Sequence, residues 1–246
     1  MSHIISGKNP VIEALLAGRP INKIFVASNI KSGLDAKLVQ LARRQGIPVR
    51  EVDRKKLQEL AGHENTQGVV AVLLEYGYSS EETIFERAAQ RQELPLIAVL
   101  DEIQDPHNLG AIIRSAEAFG FHGVVIPKDR SAGLSDTVAK TSAGAVAHLP
   151  IVRVTNLAQW LENIKSQQIW VAGADQQAEV SLFHADLNRA LAVVIGSEGK
   201  GLRRLVRERC DFLVRIPMAG QINSLNASVA AALIFCEARK QRGSNP

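Results

Sequence analysis

The fold class follows from residues 96–127, LIAVLDEIQDPHNLGAIIRSAEAFGFHGVVIP, in which two apolar runs flank a polar loop and an amphipathic segment. The runs LIAVL (96–100) and GVVIP (123–127) have the length and composition of buried strands. The segment between them has apolar residues at helical spacing and predicts a helix over 109–119. A strand, a helix and a second strand in this order are typical of a parallel sheet.

The same alternation continues towards the C-terminus. Further apolar runs predict strands at 148–154, 169–174, 191–196 and 212–217. The stretches around them predict helices at 135–143, 156–166, 202–208 and 225–241. We therefore predict an α/β fold with a mostly parallel sheet that is covered by helices on both faces.

The first 75 residues predict a separate, smaller α/β unit. Its strands are expected at 22–28, 48–52 and 69–74, and its helices at 10–16, 34–44 and 54–60. Gly18 and Gly46 are placed to end the first two helices, and Asp53 to cap the third. The polar residues 76–94 are interpreted as an interdomain linker that includes a helix start at Ser80, so the second domain is expected at 95–246.

The composition narrows the class of protein. The 246 residues are 46% hydrophobic, which is too high for a disordered chain. The apolar runs are too short to span a bilayer, and the N-terminus lacks the layout of a signal peptide. Neither cysteine belongs to a C-x-x-C pair, so Cys210 and Cys236 are interpreted as buried free thiols of a cytoplasmic protein. The six histidines lack metal-binding spacing, and no metal is expected.

The net charge alone says little about a polyanionic partner, and the positions of the basic residues say more. The net charge is +4, with a pI near 9.2. Basic residues cluster at 43–44, 54–56, 203–209 and 239–242. Each cluster alone is more typical of a solvated helix face, but the four together are equally compatible with a nucleic-acid partner.

Three polar loops follow predicted strands, where ligands bind in α/β sheets. In the first, Asn108–Arg114, Asn108 is placed to cap a helix and Gly110 permits a close approach. Arg114 stands in an otherwise apolar helix and is suited to clamp a phosphate. The alternative for Arg114 is a structural ion pair with Glu117 or Asp101.

The second and third loops are equally ambiguous when taken alone. The second, IGSEGKGL (195–202), contains three glycines and an exposed Glu198, so it is either a ligand loop or a simple turn before a helix. In the third, Ser224 and Asn226 flank Leu225 at the start of an alanine-rich helix. There the alternative is helix capping alone.

Taken together, in order and spacing, the three loops resemble the signature motifs of the SpoU/TrmH family of RNA ribose 2′-O-methyltransferases. The resemblance covers about 94–242. The opening residues IISGKNPVIEALLAG resemble the N-terminal domain of the family's 23S ribosomal RNA guanosine-2′-O-methyltransferases, the RlmB subgroup. The resemblance therefore extends over nearly the whole chain.

This resemblance implies the fold, the cofactor and the partners. It implies an α/β knot, in which the C-terminal segment threads through a loop, together with a small N-terminal domain similar to ribosomal L30-type RNA binders. The implied cofactor is S-adenosylmethionine (AdoMet) without a metal, the implied substrate is ribosomal RNA, and the implied assembly is a homodimer with the active site near its interface.

The resemblance also implies roles for individual residues. The catalytic arginine is Arg114, the other polar active-site positions are Asn108, Glu198, Ser224 and Asn226, and the cofactor pocket is formed around Gly196, Ile216 and Leu225. Similarity in the loop 127–145 implies RNA contacts for Lys128, Arg130 and Lys140.

The chemistry of these residues favours one assignment of catalytic roles. A guanidinium resists deprotonation, so we expect Arg114 to hold the phosphate next to the reacting ribose and to stabilise developing charge on O2′. The proton of O2′ then passes to Glu198, to Asn108 or to the phosphate itself.

Three other functions are compatible with parts of the sequence. The first is methylation of transfer RNA, against which the N-terminal domain of about 75 residues argues. The second is a non-catalytic L30-like RNA-binding protein, against which the intact polar residues argue. The third is a nucleotide-dependent oxidoreductase, which the lack of a G-x-G-x-x-G fingerprint after the strand 96–100 disfavours.

Overall fold

The chain forms two compact units, Met1–Tyr76 and Gly77–Pro246. The computed structural model describes residues 4–17, 19, 21–28, 36–73, 77–221 and 224–243. Across these ranges, no helix combines the length and the apolar character that crossing a bilayer requires.

The N-terminal unit is a four-stranded sheet with three helices. Its elements are β1 (Ile4–Ser6), α1 (Lys8–Leu16), β2 (Ile21–Ala27), α2 (Ala36–Arg44), β3 (Val49–Val52), α3 (Arg54–Ala61) and β4 (Val69–Leu73). The strand order is β1-β4-β2-β3, in which β2 and β3 are parallel and the other neighbours are antiparallel. Val11, Ile24 and Leu38 are fully buried between the helices and the sheet.

The predicted ends of the helices and strands in this unit are largely confirmed. The Asp53 side chain caps α3 by accepting a hydrogen bond from the backbone N–H of Lys56 at 2.7 Å. Gly46 follows α2 with φ at 66°, a left-handed conformation that favours glycine. The predicted helix end at Gly18, and residues 34, 35 and 74 of predicted elements, lie outside the described residues. The strand β1 was not predicted because three residues are too few to show a periodicity.

The C-terminal unit is a seven-stranded sheet with helices. It contains α4 (Glu82–Gln90), β5 (Leu96–Asp101), α5 (Pro106–Ala118), β6 (Gly123–Pro127), α6 (Asp136–Thr141), β7 (Ile151–Val154), α7 (Leu157–Lys165), β8 (Trp170–Ala174), β9 (Val180–Ser181), β10 (Leu191–Gly196), α8 (Arg204–Arg209), β11 (Phe212–Arg215) and α9 (Ala227–Gln241). The strand order is β7-β6-β5-β10-β8-β11-β9, and each neighbouring pair is parallel. The predicted α/β class is therefore confirmed.

The sheet reverses its winding direction between β5 and β10. The chain proceeds from β5 to β6 and β7 on one side, and then to β8, β10 and β11 on the other. β5 and β10 are adjacent and in register, with Gly196 opposite Asp101 at their carboxyl ends. A crevice opens at such a reversal, and it places the loop after β5 beside the loop after β10.

Gly110 illustrates how closely the helices of this unit pack. A Cβ atom at Gly110 would lie 2.7 Å from the Cβ of Thr141 and 2.8 Å from the carbonyl oxygen of Val138. The close approach at Gly110 is made by α6 of the same chain, and not by another chain or a ligand as expected.

The predicted linker 76–94 requires a correction, because its residues from Gly77 onward belong to the C-terminal unit. Ile84 and Ala88 are buried one helical turn apart on α4, and Ile84 is part of the core beneath the sheet. Ser79 forms a parallel bridge with Val152 at the edge strand β7. The polar composition of this segment reflects the exposed face of α4.

Candidate active site

A first cavity of about 390 Å³ lies at the carboxyl ends of β8, β10 and β11. Its wall includes 174–177 after β8, 195–202 around the end of β10, and residues between β11 and α9, and it is completed by side chains of α8, β11 and α9. The predicted cofactor residues Gly196, Ile216 and Leu225 all line it, as do Glu198 and Ser224. Two of the three predicted loops therefore form one cavity.

Gly196 is required by the closure of the loop that follows β10. Ser197 and Gly201 exchange backbone hydrogen bonds of 3.1 and 2.9 Å, so the chain folds back on itself. A Cβ atom at Gly196 would lie 2.3 Å from the carbonyl carbon of Gly201 and 2.6 Å from the backbone nitrogen of Leu202. Since both neighbours are backbone atoms, only glycine fits at position 196 in this loop.

An ion pair between a buried carboxylate and the partly exposed Arg203 fastens the far end of this loop to β5. Asp101 is fully buried at the carboxyl end of β5. Its carboxylate accepts hydrogen bonds from Nε of Arg203 at 2.6 Å and from the backbone N–H of Arg203 at 2.8 Å. The sequence does not predict this pair, because Arg203 lies in a run of basic residues and Asp101 is an equally plausible partner of Arg114 there.

Replacing Arg203 by alanine is expected to lower the free energy of unfolding by about 3–5 kcal/mol, because the buried Asp101 carboxylate loses its cation. The matched control is Arg204→Ala, which removes an exposed pair with Glu208 and is expected to cost about 1 kcal/mol or less. Urea denaturation of both variants measures the difference. Equal losses of stability would show that the Asp101–Arg203 pair does not fasten the loop.

A second cavity of about 250 Å³ adjoins the first. Both cavities are lined by Ser197, Glu198, Lys200 and Ala227. The remaining wall of the second cavity comes from the loop after β5, and its lining residues are Glu102, Ile103, Gln104, Asp105 and Asn108. The two cavities thus offer adjoining spaces for two ligands.

Asn108 faces the site because another residue caps its helix. The expectation that Asn108 caps α5 is wrong, since the Asp105 side chain accepts the hydrogen bond from the backbone N–H of His107 at 3.0 Å. The Asn108 side chain is therefore available, and its Oδ1 accepts a hydrogen bond of 2.9 Å from Nδ2 of Asn226.

Asn226 links the first, second and third loops in one hydrogen-bond network. Its Oδ1 accepts hydrogen bonds from the backbone N–H groups of Ser228 and Val229 and from the Ser228 hydroxyl, at 2.6–3.4 Å. Its amide nitrogen must therefore face the opposite way, where it donates to Asn108 and, at 3.3 Å, to Oε2 of Glu198. Ser228, which the sequence analysis missed, helps to fix this orientation.

Arg114 lies apart from these contacts. Its side chain is exposed on α5, and it lines neither cavity as far as the described residues define them. Within the same residues it makes no hydrogen bond and no ion pair. The alternative of an ion pair with Glu117 or Asp101 is not observed, and Asp101 is bound to Arg203 instead.

Asp175 is a further polar residue of the first cavity that the sequence analysis missed. Burial acts to raise the pKa of Asp175, but hydrogen bonds from Arg207 and from the backbone N–H of Gln177 outweigh it and keep the pKa below its usual value. The Nε of Arg207 lies 2.6 Å from Oδ2 of Asp175. The first cavity therefore contains a carboxylate that stays ionised at neutral pH.

The arginines of the basic cluster 203–209 pair with neighbouring carboxylates, which agrees with the interpretation of this cluster, taken alone, as a helix face. Each of its arginines has an acidic partner, in the pairs Arg203–Asp101, Arg204–Glu208, Arg207–Asp175 and Arg209–Glu162. The cluster therefore stabilises α8 and the first cavity.

The cysteines take no part in the site. Burial raises the pKa of Cys210 to about 12, whereas Cys236 is exposed on α9, so the expectation of two buried thiols is wrong for Cys236. Among the residues that the structure describes, no group of three or more histidine, cysteine, aspartate or glutamate side chains is arranged to hold a metal ion.

Two family patterns match the two units of the chain. The pattern of the SpoU rRNA Methylase family matches residues 95–236, and the pattern described as RNA 2′-O ribose methyltransferase substrate binding matches residues 4–79. The chain belongs to the SpoU methylase family. YacO of Bacillus subtilis (strain 168), named as a member of the TrmH family of tRNA/rRNA methyltransferases, is 48% identical to this SpoU chain over 238 residues, or 97% of this chain and 95% of YacO.

Solved structures of SpoU proteins have the same fold. The methyltransferase AviRb from Streptomyces viridochromogenes, in complex with AdoMet, matches with a TM-score of 0.67 and 28% identity over 98% of this chain and 90% of AviRb. An AdoMet-bound rRNA methyltransferase from Sinorhizobium meliloti matches with a TM-score of 0.62 and 26% identity over 99% of this chain and 88% of that chain. The predicted α/β fold, with a mostly parallel sheet and a small N-terminal domain, is therefore confirmed.

A structure of a tRNA-modifying SpoU enzyme matches a smaller part of this chain. The TrmH/SpoU tRNA modifying enzyme of A. aeolicus matches with a TM-score of 0.57 and 26% identity over 65% of this chain and 84% of that chain. Family membership makes this SpoU chain an AdoMet-dependent RNA 2′-O-methyltransferase.

The first cavity has the properties that AdoMet requires. Its volume of about 390 Å³ is within the range of small-molecule sites. Apolar side chains such as Ile216 and Leu225 suit the flat adenine, and the glycine loop brings backbone groups close to the ligand. The ionised Asp175 is suited to accept hydrogen bonds from hydroxyl or ammonium groups.

Proposed function

We propose that this SpoU chain methylates the ribose 2′-hydroxyl of a guanosine in 23S ribosomal RNA, in the cytoplasm. The observation that carries the proposal is the wall that the two cavities share, because a methyl donor in the first cavity and a nucleoside in the second would lie on either side of Glu198. The resemblance to the RlmB subgroup supports guanosine and 23S RNA as the finer assignment.

The N-terminal unit supports a ribosomal target over transfer RNA. The rRNA methyltransferase of Sinorhizobium meliloti matches nearly the whole chain, whereas the tRNA-modifying enzyme of A. aeolicus matches about two thirds of it. Exposed basic side chains of the N-terminal unit suit an RNA backbone; they are Arg43, Arg44, Arg54, Lys55 and Lys56. Transfer RNA remains the alternative substrate.

In the proposed reaction, O2′ bonds to the methyl carbon as the carbon–sulfur bond breaks, and O2′ loses its proton. AdoMet, when bound, supplies a methyl group on a sulfonium that an oxygen nucleophile can attack. Glu198 is held by the Asn226 amide and accepts the proton of O2′, and the Asn226–Asn108 hydrogen bond keeps these side chains in position. Ser224 completes the wall of the first cavity beside Leu225.

The position of Arg114 supports a homodimer. Arg114 is exposed on α5, and α9 packs against α5. The outer side of α9 carries exposed Val229, Leu233 and Cys236 at helical spacing, with Val229 47% and Leu233 44% exposed. We propose that two copies pair through this stripe and that the partner subunit's Arg114 reaches the second cavity.

Replacing Leu233 by glutamate is expected to convert the dimer into a monomer, because a carboxylate in an apolar interface loses its hydration. Light scattering coupled to size exclusion measures the mass. The matched control is Leu205→Glu on α8, whose side chain is 54% exposed and lines neither cavity, and this variant is expected to stay dimeric. A dimeric Leu233→Glu chain would place the interface elsewhere, and a monomeric wild type would end the proposal of a homodimer.

The proposed substrate is tested by mapping ribose methylation. Purified chain and isotopically labelled AdoMet are incubated with 23S rRNA and with total tRNA, and the products are mapped by mass spectrometry. We expect one methylated guanosine in 23S rRNA. Label in tRNA alone would favour the alternative substrate. AdoMet binding by calorimetry without transfer to either RNA would contradict the proposed substrate, and failure to bind AdoMet would favour a non-catalytic RNA-binding protein.

Exposed basic side chains near the second cavity suit the flanking phosphates of the same RNA. Lys128, Arg130 and Lys140 are exposed on the segment that includes β6's carboxyl end and α6. Arg130 also pairs with Glu102, a residue of the second cavity, at 3.2 Å. We propose that Lys128 and Lys140 bind phosphates, while Arg130 acts at the entrance of that cavity.

A further inference from the structure

The second cavity is lined mainly by hydrogen-bond acceptors. It contains the carboxylates of Glu102, Asp105 and Glu198, and the amides of Gln104 and Asn108. Lys200, on the shared wall, is the cationic side chain among its described lining residues. Carboxylates repel a phosphate and attract N–H donors, so the interior of this cavity suits the edge of a base.

The three carboxylates differ in how far they are already engaged. Asp105 accepts the capping hydrogen bond of α5, and Glu198 accepts from Asn226 on the wall beside the first cavity. Glu102 lines the second cavity but not the first. Glu102 is therefore the carboxylate best placed to contact a base there.

The Glu102 carboxylate is held in position from two sides. It is 13% exposed, with its Oε1 at 3.2 Å from Nη1 of Arg130 and at 3.7 Å from Nε of Arg203. Its Oε2 has no hydrogen-bond partner within the described residues. A carboxylate oxygen can accept two hydrogen bonds, so both oxygens of Glu102 remain able to accept from a ligand.

The backbone at Glu102 gives independent evidence of a functional position. Glu102 has φ at 59° and its partner Arg130 has φ at 58°, in the left-handed region that residues other than glycine rarely adopt. Such a conformation costs about 1 kcal/mol or more and is typical of functional sites. Glu102, which lines the second cavity, is thus paired with a residue in the same uncommon conformation, and the pair fixes the position of the carboxylate.

We propose that Glu102 determines base specificity by accepting hydrogen bonds from N1–H and the N2 amino group of the target guanine. This inference rests on the proposed function and adds the residue that selects the base. Guanine alone among the four RNA bases presents two adjacent donors on its Watson–Crick edge. In adenine and cytosine a ring acceptor would face a carboxylate oxygen, and uracil offers a single donor between two carbonyl oxygens.

The test is a comparison of two substrates with two proteins. The substrates are RNA fragments that carry either the mapped guanosine or inosine, which lacks the N2 amino group. Wild type is expected to lose about tenfold in kcat/KM on inosine, and Glu102→Gln to lose about 10- to 100-fold on guanosine. Glu102→Gln is further expected to treat guanosine and inosine alike, because its amide has a single acceptor oxygen, which can serve N1–H but leaves the N2 amino group without an acceptor.

The ratio between the two substrates separates base recognition from a structural effect. Loss of the Arg130 pair alone would lower both rates and leave their ratio unchanged, and that result would overturn the proposal. A mapped target other than guanosine would also overturn it. AdoMet affinity by calorimetry checks that the first cavity of Glu102→Gln is intact, and Glu162→Gln, an exposed carboxylate on α7, serves as the matched control.

A nucleotide-binding measurement tests the inference independently of methyl transfer. GMP and IMP are titrated into each protein with S-adenosylhomocysteine present, and binding is followed by NMR. Wild type is expected to prefer GMP and Glu102→Gln to show no preference. If no RNA accepts a methyl group, the proposed function fails, while a GMP preference that depends on Glu102 would still support base recognition. Equal binding of GMP and IMP by wild type would refute it.

Discussion

Replacing Gly196 by alanine is expected to weaken AdoMet binding by at least about 100-fold and to abolish methyl transfer. The added Cβ would meet the carbonyl carbon and oxygen of Gly201 at 2.3 and 2.4 Å, where no side chain can move aside. The loop 196–202 must then open, and the first cavity loses the wall that this loop provides. Calorimetry with AdoMet measures the affinity.

The control for this variant is Gly220→Ala, in the chain segment between β11 and α9. No described atom lies within 4 Å of a Cβ built at Gly220, and its φ is not in the left-handed region. Its affinity for AdoMet is expected to stay within about twofold of wild type, because the methyl group meets free space. If Gly196→Ala bound AdoMet as tightly as Gly220→Ala, the first cavity would not be the cofactor site.

The elements that could be predicted from the sequence are those with long apolar runs. LAVVIG at 191–196 is β10 as predicted, because a strand buried on both faces must be apolar throughout. β9 has only the two residues Val180 and Ser181, which show no pattern. The sequence predicts only a helix start for the segment that forms α4. Ile84 and Ala88 are surrounded by polar residues in the sequence, and only the folded structure shows that they are buried.

The site could be predicted in part, because the three polar loops follow strands and carry recognisable motifs. Which loops are neighbours depends on strand order, which is set by long-range pairing such as that of Gly196 with Asp101. For the same reason the roles of Arg203 and Glu102 could not be predicted. Their partners, Asp101 and Arg130, are distant in sequence and become neighbours only in the folded chain.

Replacing Arg114 by lysine is expected to lower kcat by about 10²- to 10³-fold while AdoMet affinity stays unchanged. Lysine keeps the charge, but it loses the planar fork that can hold a phosphate through two parallel hydrogen bonds. Because Arg114 lines neither cavity within the described residues, the affinity of the first cavity for AdoMet should not change. Single-turnover methylation of 23S rRNA and calorimetry with AdoMet measure the two quantities.

The matched control is Arg204→Lys, at an exposed arginine on α8 that pairs with Glu208. Its kcat is expected to stay within about twofold of wild type, since an exposed pair contributes little. Near-normal turnover by Arg114→Lys would show that a positive charge at position 114 is sufficient for methyl transfer. The planar guanidinium group would then have no specific part in the reaction.

Mixed dimers show whether each active site uses Arg114 of its own subunit or the partner subunit's Arg114. In a dimer of one Arg114→Lys subunit and one Gly196→Ala subunit, the only intact first cavity belongs to the Arg114→Lys subunit. If that cavity is served by the partner subunit's Arg114, mixing two nearly inactive proteins restores activity. If each subunit uses its own Arg114, the mixture stays inactive. Adding Leu233→Glu to both variants should remove any restored activity, because the outer stripe of α9 then no longer pairs the subunits.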